Sequence, residues 1–143
     1  MMLLLLAGAV VITCVAIHLV VLQVLRLGVR RLKRFPRFAV GAIIFGAILG
    51  HLIEIEVFAL TYDGIENWTE RGHLLGEFTI SHQDFHYCSA VTYTTLGFGD
   101  ITPNGDLRWI AAIEALTGLV LITWTASFAF LVMQELWSQE RSS

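Results

Sequence analysis

Charged residues are scarce in this chain, at 15% of its 143 residues, whereas apolar residues make up 56%. Soluble domains usually carry about 25% charged residues, so this composition predicts an integral membrane protein. The chain has only two cysteines, Cys14 and Cys88. Both fall at membrane depth, where we expect them to pack rather than to form a disulfide. The sequence also lacks a phosphate-binding loop, a catalytic triad pattern, a metal-ligand spacing and an internal repeat. We therefore expect neither an enzyme nor a cofactor.

The chain contains three long apolar runs. Crossing a bilayer requires about 20 apolar residues, and we predict spans at residues 1–26, 38–60 and 107–137. A cleavable signal peptide is the competing interpretation of the first run. That run has no basic N-terminal region and no small-residue cleavage site, and it is too long. We expect it to be a true span, either packed beside the second span or acting as a topogenic anchor.

Basic residues predict the orientation in the membrane. Six of the nine lie at or within the connection 27–37, namely Arg26, Arg30, Arg31, Lys33, Arg34 and Arg37. The positive-inside rule makes this connection cytoplasmic. The N-terminus is then outside, the segment 61–83 is extracellular or periplasmic, and the tail 138–143 is cytoplasmic. Because this basic loop lies between two spans, we expect it to set the topology rather than to bind nucleic acid, with contact to lipid head groups as an additional role.

A glycine motif lies between the second and third spans: residues 94–100 read Thr-Thr-Leu-Gly-Phe-Gly-Asp. Gly97 and Gly99 permit backbone conformations that a residue with a Cβ resists. Successive carbonyl oxygens can then point toward one axis and replace the hydration shell of an ion. One chain supplies a quarter of such a cage, so the motif implies a symmetric oligomer with a shared pore.

The segment before the motif, residues 84–94, contains no Gly or Pro and predicts a short helix. Ser81 or Asp84 could cap its start. Eleven helical residues span about 16 Å, roughly half the hydrocarbon thickness. The helix would start near the outer surface and end in mid-membrane, with the negative end of its dipole directed inward. Irregular backbone beyond it is tolerated at that depth only if it is buried in protein or lines water.

The motif resembles the potassium-channel signature, Thr-Val-Gly-Tyr-Gly-Asp in its commonest form, with Leu96 and Phe98 as departures. Residues 38–137 look like the outer helix, pore loop and inner helix of the two-helix potassium-channel pore family. They are similar in detail to small bacterial ion-channel proteins, through His-Leu-Ile-Glu-Ile at 51–55, Arg-Trp at 108–109 and Glu-Ala-Leu-x-Gly at 114–118. The resemblance implies an all-α protein with three transmembrane helices, a re-entrant pore helix and a filter loop, assembled as a homotetramer in the bacterial inner membrane.

The resemblance also implies roles for individual residues. Carbonyl oxygens at Thr95, Leu96, Gly97 and Phe98 would coordinate dehydrated K⁺, and the Thr95 hydroxyl would serve the innermost site. Gly99 and Asp100 would form the outer mouth of the filter 95–100. In the inner helix, Gly118 would be the hinge, and Ile122, Ala126 and Phe130 would face the pore, with a ring of four Phe130 side chains as a gate.

Two departures from the family pattern concern the bracing of the filter. Phe98 cannot make the hydrogen bond to the pore helix that a filter tyrosine often makes. Val91 stands where several channels place a carboxylate partner for the filter aspartate. We therefore expect Asp100 to find another donor or to face water, and the filter to be less tightly braced.

His51, Glu54 and Glu114 are ionisable side chains predicted at membrane depth. His51 and Glu54 are three residues apart and share a helix face. A charge in mid-bilayer costs several kcal/mol unless it is paired or hydrated. We expect a hydrogen-bonded network that ties outer helix, pore helix and inner helix together. The alternative is a proton-sensitive brace that responds between about pH 4 and pH 7.

These features together predict a passive potassium-selective channel. A weakly selective monovalent cation channel would differ in the rigidity of the filter, and a non-conducting, pore-like accessory subunit is the alternative from another class. The expected partners are potassium ions, membrane lipid and further copies of the chain. No helix carries an arginine at every third position, so we expect no ordinary voltage sensor, and the sequence does not identify the gating stimulus or a regulatory partner.

Overall fold

The computed structural model describes residues 2–32, 35–69, 72–76 and 79–140, without the side chains of 139 and 140. Its elements in chain order are α1 (Met2–Leu32), α2 (Pro36–Thr69), β1 (Leu74–Gly76), α3 (His82–Tyr93), β2 (Ile101–Pro103) and α4 (Leu107–Glu140). Helices α1, α2 and α4 are long and apolar enough to cross a membrane. The predicted all-α fold with three spans is thereby confirmed.

The helices extend beyond the predicted spans. Helix α1 continues through Leu32, into the predicted linker 27–37, and α2 runs to Thr69 rather than to residue 60. Hydropathy marks only the apolar part of a helix, whereas the backbone hydrogen bonds continue where no proline interrupts them. Lys33 and Arg34 of the basic connection, and Glu70, Arg71 and Glu77 of the outer segment, lie outside the described residues.

Helix α1 packs directly against α2, as one of the two predicted roles for the first span requires. A Cβ built on Gly46 would lie 2.4 Å from Cδ2 of Leu25, and one on Gly50 would lie 2.9 Å from Cγ1 of Val21. Both glycines therefore leave room for α1 side chains against the α2 backbone. Close approach at small residues is a common way for membrane helices to associate.

Buried side chains form two clusters along the bundle. The first joins all four helices, and its largest members include Phe58, Tyr62, Phe85, Tyr93 and Leu107. The second lies at the other end, with Val29, Ala39, Ile43, Val132 and Leu136. Cys14 and Cys88 belong to the first cluster as free, buried thiols, so the prediction that they pack without a disulfide is confirmed.

The short helix α3 begins after Ser81, its N-cap. The Asp84 carboxylate accepts hydrogen bonds from the backbone N–H of Ser81 at 2.6 Å and from its hydroxyl at 2.8 Å. The two residues predicted as alternative caps thus act together. These hydrogen bonds hold the pKa of Asp84 below its usual value, because they stabilise the ionised form.

The two short strands form an antiparallel ribbon. Strand β1 pairs antiparallel with β2, with Leu74 opposite Pro103 and Gly76 opposite Ile101. The backbone N–H of Leu74 also donates to Oε2 of Glu66 on α2, at 2.9 Å. The ribbon thus ties the chain beyond α2 to the segment that directly follows the glycine motif.

At Gly118, α4 closely approaches α3. A Cβ at this position would lie 2.1 Å from the carbonyl oxygen of Tyr93, the last residue of α3. Real Cβ atoms essentially never lie that close to another heavy atom, so a side chain here would displace α4 from the end of α3.

We expect Gly118→Ala to destabilise the protein by about 1–3 kcal/mol, as overpacking does in a close-packed interior. Gly41 is the matched control, because nothing lies within 4 Å of a Cβ built there. Gly41→Ala should be neutral or stabilising by up to about 1 kcal/mol. Thermal unfolding of the detergent-solubilised proteins compares the two. Equal melting temperatures for Gly118→Ala and wild type would show that α3 and α4 approach each other less closely.

Candidate functional site

The glycine motif has an alternating backbone. Thr95, Gly97 and Gly99 have positive φ angles of 60°, 56° and 82°. Among the described residues, Thr95 is the only residue other than glycine with a positive φ. A β-branched residue in this region is rare, costs on the order of 1–3 kcal/mol, and is typical of functional segments. Alternation of this kind allows successive carbonyl groups to point to one side of the chain.

Backbone hydrogen bonds hold the start of the motif on the last turn of α3. The N–H of Leu96 donates to the carbonyl oxygen of Val91 at 2.9 Å, and that of Gly97 donates to the same oxygen at 3.4 Å. The N–H of Thr95 donates to the carbonyl of Thr92 at 2.9 Å. These hydrogen bonds fix the first residues of the motif against the end of α3.

The side chains that are expected to line or support a pore are exposed on the surface of the single chain. Leu96 and Phe98 are 61% and 66% exposed, and the predicted stripe Ile122, Ala126 and Phe130 lies on the exposed face of α4. The opposite face of α4 packs against α2 and α3. The roles of Gly118 as a hinge and of Phe130 as a gate stay predictions.

Asp100 has a hydrogen-bond donor that the sequence reasoning did not identify. The hydroxyl of Tyr87 donates to Oδ2 of Asp100 at 2.7 Å. Tyr87 lies four residues before Val91, one turn earlier on the same face of α3. A search of that face for a donor could have found it. This hydrogen bond holds the pKa of Asp100 below its usual value.

The carboxylate of Glu54 forms the centre of a buried polar group. Its Oε1 lies 2.9 Å from Nδ1 of His18, and its Oε2 lies 3.0 Å from Nδ1 of His51. The hydroxyl of Tyr93 also donates to Oε2. The group therefore joins α1, α2 and α3. Sequence reasoning missed His18, although a histidine in an otherwise apolar span is a signal in itself.

Helix α4 contacts the two histidines of this group through Thr125 and Trp124. Oγ1 of Thr125 lies 3.1 Å from Nε2 of His51 and 3.4 Å from Nε2 of His18. The ring of Trp124 lies beside His18, with 5.3 Å between centroids. Each ring nitrogen of the two imidazoles thus has a polar atom within 3.4 Å.

Glu114 belongs to a second buried group rather than to that of Glu54. The hydroxyl of Tyr62 donates to Oε2 of Glu114. Oγ of Ser89 lies 2.5 Å from Oε1 of Glu114 and 2.7 Å from the carbonyl oxygen of Ile55. This group joins α2, α3 and α4. In the described part of the chain, every buried side-chain nitrogen and oxygen has a hydrogen-bond partner, as the cost of burial requires.

All five histidines of the chain face carboxylates on α2. Besides the two at Glu54, three exposed or partly exposed pairs lie along the C-terminal half of α2: His86–Glu56 at 2.8 Å, His82–Asp63 at 3.5 Å and His73–Glu66 at 3.8 Å. Exposed pairs contribute at most about 1 kcal/mol each. Their placement shows that α2 is the element to which α1, α3 and the residues 72–76 are joined.

We expect Tyr87→Phe to raise the pKa of Asp100 toward its usual value. In the wild type, the hydroxyl stabilises the carboxylate, which therefore stays ionised to lower pH. In the variant, protonation should begin at higher pH. The ¹³C chemical shift of the aspartate carboxyl carbons measures this, and Asp100→Asn identifies the signal. Identical titration midpoints for Asp100 in wild type and Tyr87→Phe would contradict the contact.

Comparison with known proteins identifies the family of this chain. A family model described as "Ion channel" matches residues 38–135. Protein LctB of Bacillus caldotenax and Protein LctB of Geobacillus stearothermophilus are each 46% identical to this chain over 39 residues. The chain spans 29% of the length of these curated relatives, and their name states no activity. No solved structure matches the chain significantly.

The family match covers more than half of the chain. It begins in α2, includes α3 and the glycine motif, and ends in α4. Helix α1 lies outside it. Together with three helices able to span a membrane, the match shows that this chain is a multi-pass membrane protein of the ion-channel family.

Proposed function

We propose that this protein is a passive, potassium-selective channel whose pore is shared by four copies of the chain. The observation that carries the proposal is the alternation of positive φ at Thr95, Gly97 and Gly99, directly after a short helix, in a chain of the ion-channel family. Alternating backbone of this kind suits a row of carbonyl oxygens that replaces the hydration shell of a cation.

In this proposal, each chain contributes the carbonyl oxygens of Thr95, Leu96, Gly97 and Phe98 to a column of K⁺ sites. The Thr95 hydroxyl completes the innermost site, and Gly99 and Asp100 form the outer mouth. The C-terminal end of α3 carries a partial negative charge from the helix dipole. Four such ends directed at one cavity would stabilise a cation before it enters the column.

Two contacts favour potassium selectivity over weak cation selectivity, because selectivity depends on how firmly the carbonyl groups are held. The Val91 carbonyl accepts N–H groups from Leu96 and Gly97 at the inner end of the motif. Tyr87 holds Asp100 at the outer end. The motif is thus braced at both ends by α3, which compensates for the hydroxyl that Phe98 lacks.

A homotetramer follows from the same geometry, since one motif supplies one quarter of the cage. The exposed face of α4, which includes Ile122, Ala126 and Phe130, is the surface that would face the central pore. We also propose the predicted orientation, with the N-terminus outside and the C-terminus in the cytoplasm of a bacterial cell. Arg26, Arg30, Arg31 and Arg37 around the junction of α1 and α2 support it.

Two functions compete with potassium selectivity. Phe98, which lacks the bracing hydroxyl, favours the weakly selective cation channel. A non-conducting accessory subunit would keep the fold without conduction. The proton-sensitive role expected for His51, Glu54 and Glu114 stays a prediction, and the network at Glu54 needs no such role to be stable.

Reversal potentials under a potassium gradient should separate these functions. A selective pore reconstituted in planar bilayers should shift its reversal potential by about 59 mV for a tenfold gradient. Gly97→Ala should abolish this selectivity or the current, because a Cβ at positive φ costs about 1–2 kcal/mol in each subunit. Gly41→Ala, at an open position on α2, should behave as wild type.

Each competing function has its own signature in this experiment. Wild-type current that reverses at the same potential with sodium and potassium would indicate the weakly selective channel. Absence of current from both wild type and Gly41→Ala would indicate the accessory subunit.

We expect cross-linking in native membranes to yield a ladder that ends at four chains. Native mass spectrometry of the detergent-solubilised protein should give the same stoichiometry, because the carbonyl cage closes only with four motifs. A ladder that ends at the dimer in both membranes and detergent would be incompatible with the proposed pore.

A further inference from the structure

The group at Glu54 has the composition and spacing of a metal site. His18, His51 and Glu54 each offer one ligand atom, and these atoms all lie within 4.8 Å of one another. Nδ1 of His18 lies 2.9 Å, and Nδ1 of His51 3.0 Å, from an oxygen of the same carboxylate. Tetrahedral zinc with bonds of about 2.0–2.1 Å holds its ligand atoms roughly 3.3 Å apart, so small side-chain rotations would admit the ion.

We propose that His18, His51 and Glu54 bind a divalent transition-metal cation of the zinc class between α1 and α2. Two imidazoles and one carboxylate form a ligand set that zinc uses. Imidazole nitrogen selects transition metals over K⁺, Na⁺, Mg²⁺ and Ca²⁺, which prefer oxygen ligands. The site is therefore distinct in chemistry from any site for the ion that permeates the pore.

Hydrogen-bond donors and acceptors around the two imidazoles are compatible with a bound metal. A neutral imidazole has one donor and one acceptor nitrogen. If both Nδ1 atoms donate to Glu54, both Nε2 atoms need a donor, and Thr125 has a single hydroxyl proton for the two. In another arrangement, Nδ1 of His51 accepts from the Tyr93 hydroxyl at 2.9 Å and its Nε2–H donates to Thr125. If both Nδ1 atoms bind a metal, both Nε2–H groups donate to the lone pairs of Thr125 Oγ1, at 3.1 and 3.4 Å.

The metal-bound arrangement is typical of the outer shell of a metal site, where a ligating histidine donates its other N–H to a fixed acceptor. The carboxylate is oriented as well, because Tyr93 donates to Oε2 of Glu54. Acceptance by His51 Nδ1 from Tyr93 satisfies the donor count without a metal. The experiment must therefore distinguish a bound metal from this metal-free arrangement.

The site is buried between helices, so a bound cation would affect how these helices are held together. Glu54 is fully buried, His18 is 2% exposed, and His51 is 16% exposed, which places the accessible side of the site at His51. Tyr93, which donates to Glu54, is the last residue of α3, and the glycine motif begins at the next residue. A bound cation would thus connect α1 to the short helix behind residues 94–100.

Metal analysis of the purified full-length protein tests the proposal. After treatment with a chelator, incubation with Zn²⁺ and desalting, the wild type should retain one zinc per chain. His18→Gln and Glu54→Gln should retain none, because each removes a ligand. His86→Gln is the matched control, since it removes a histidine from an outer histidine–carboxylate pair and should retain zinc as wild type does.

Thr125→Val tests the outer shell with little change in side-chain volume. It should weaken zinc binding about 10- to 100-fold, whereas binding elsewhere would be unaffected. Should the ligand variants fail to fold, X-ray absorption of the zinc-loaded wild type still decides, because it should report two imidazole nitrogens. The proposal is overturned if the wild type retains no zinc, if zinc binding is unchanged in Thr125→Val, or if His86→Gln loses zinc as His18→Gln does.

Discussion

The buried carboxylate of Glu54 accepts the hydrogen bonds that join helices α1, α2 and α3. It is fully buried, and its partners His18, His51 and Tyr93 come from α1, α2 and α3. Leaving such a group without partners would cost several kcal/mol. The helices must therefore keep one relative arrangement, and this requirement places the end of α3 in the bundle.

The arrangement of α3 in turn determines the conformation of the glycine motif. Its last turn accepts the N–H groups of Thr95, Leu96 and Gly97, and an earlier turn presents Tyr87 to Asp100. Glu114, bonded to Tyr62 and Ser89, holds α4 against the same short helix, where Gly118 permits backbone contact. The strained backbone at Thr95 is thus supported by buried polar contacts on three neighbouring helices.

Helix α1 lies outside the part of the chain that matches the ion-channel family, yet it contributes to the centre of the bundle. Gly46 and Gly50 of α2 admit Leu25 and Val21 of α1, and His18 brings a second imidazole to Glu54. The family's two-helix unit is therefore extended here by a helix with its own buried polar contact. That contact distinguishes α1 from a span that serves only to set topology.

The amino-acid sequence by itself determined the three spans, the short helix with its cap at Ser81 and Asp84, and the family. Hydropathy, capping and the motif at 94–100 are properties of consecutive residues, so no knowledge of packing is needed to read them. Only the tertiary structure decided that His18 reaches Glu54, that Glu114 bonds separately to Tyr62 and Ser89, and that Tyr87 serves Asp100. The two residues of each of these contacts are distant in the chain, and whether they meet depends on how each helix is rotated about its axis. In a membrane, the faces toward lipid and toward protein are both apolar, so periodicity does not reveal which face packs.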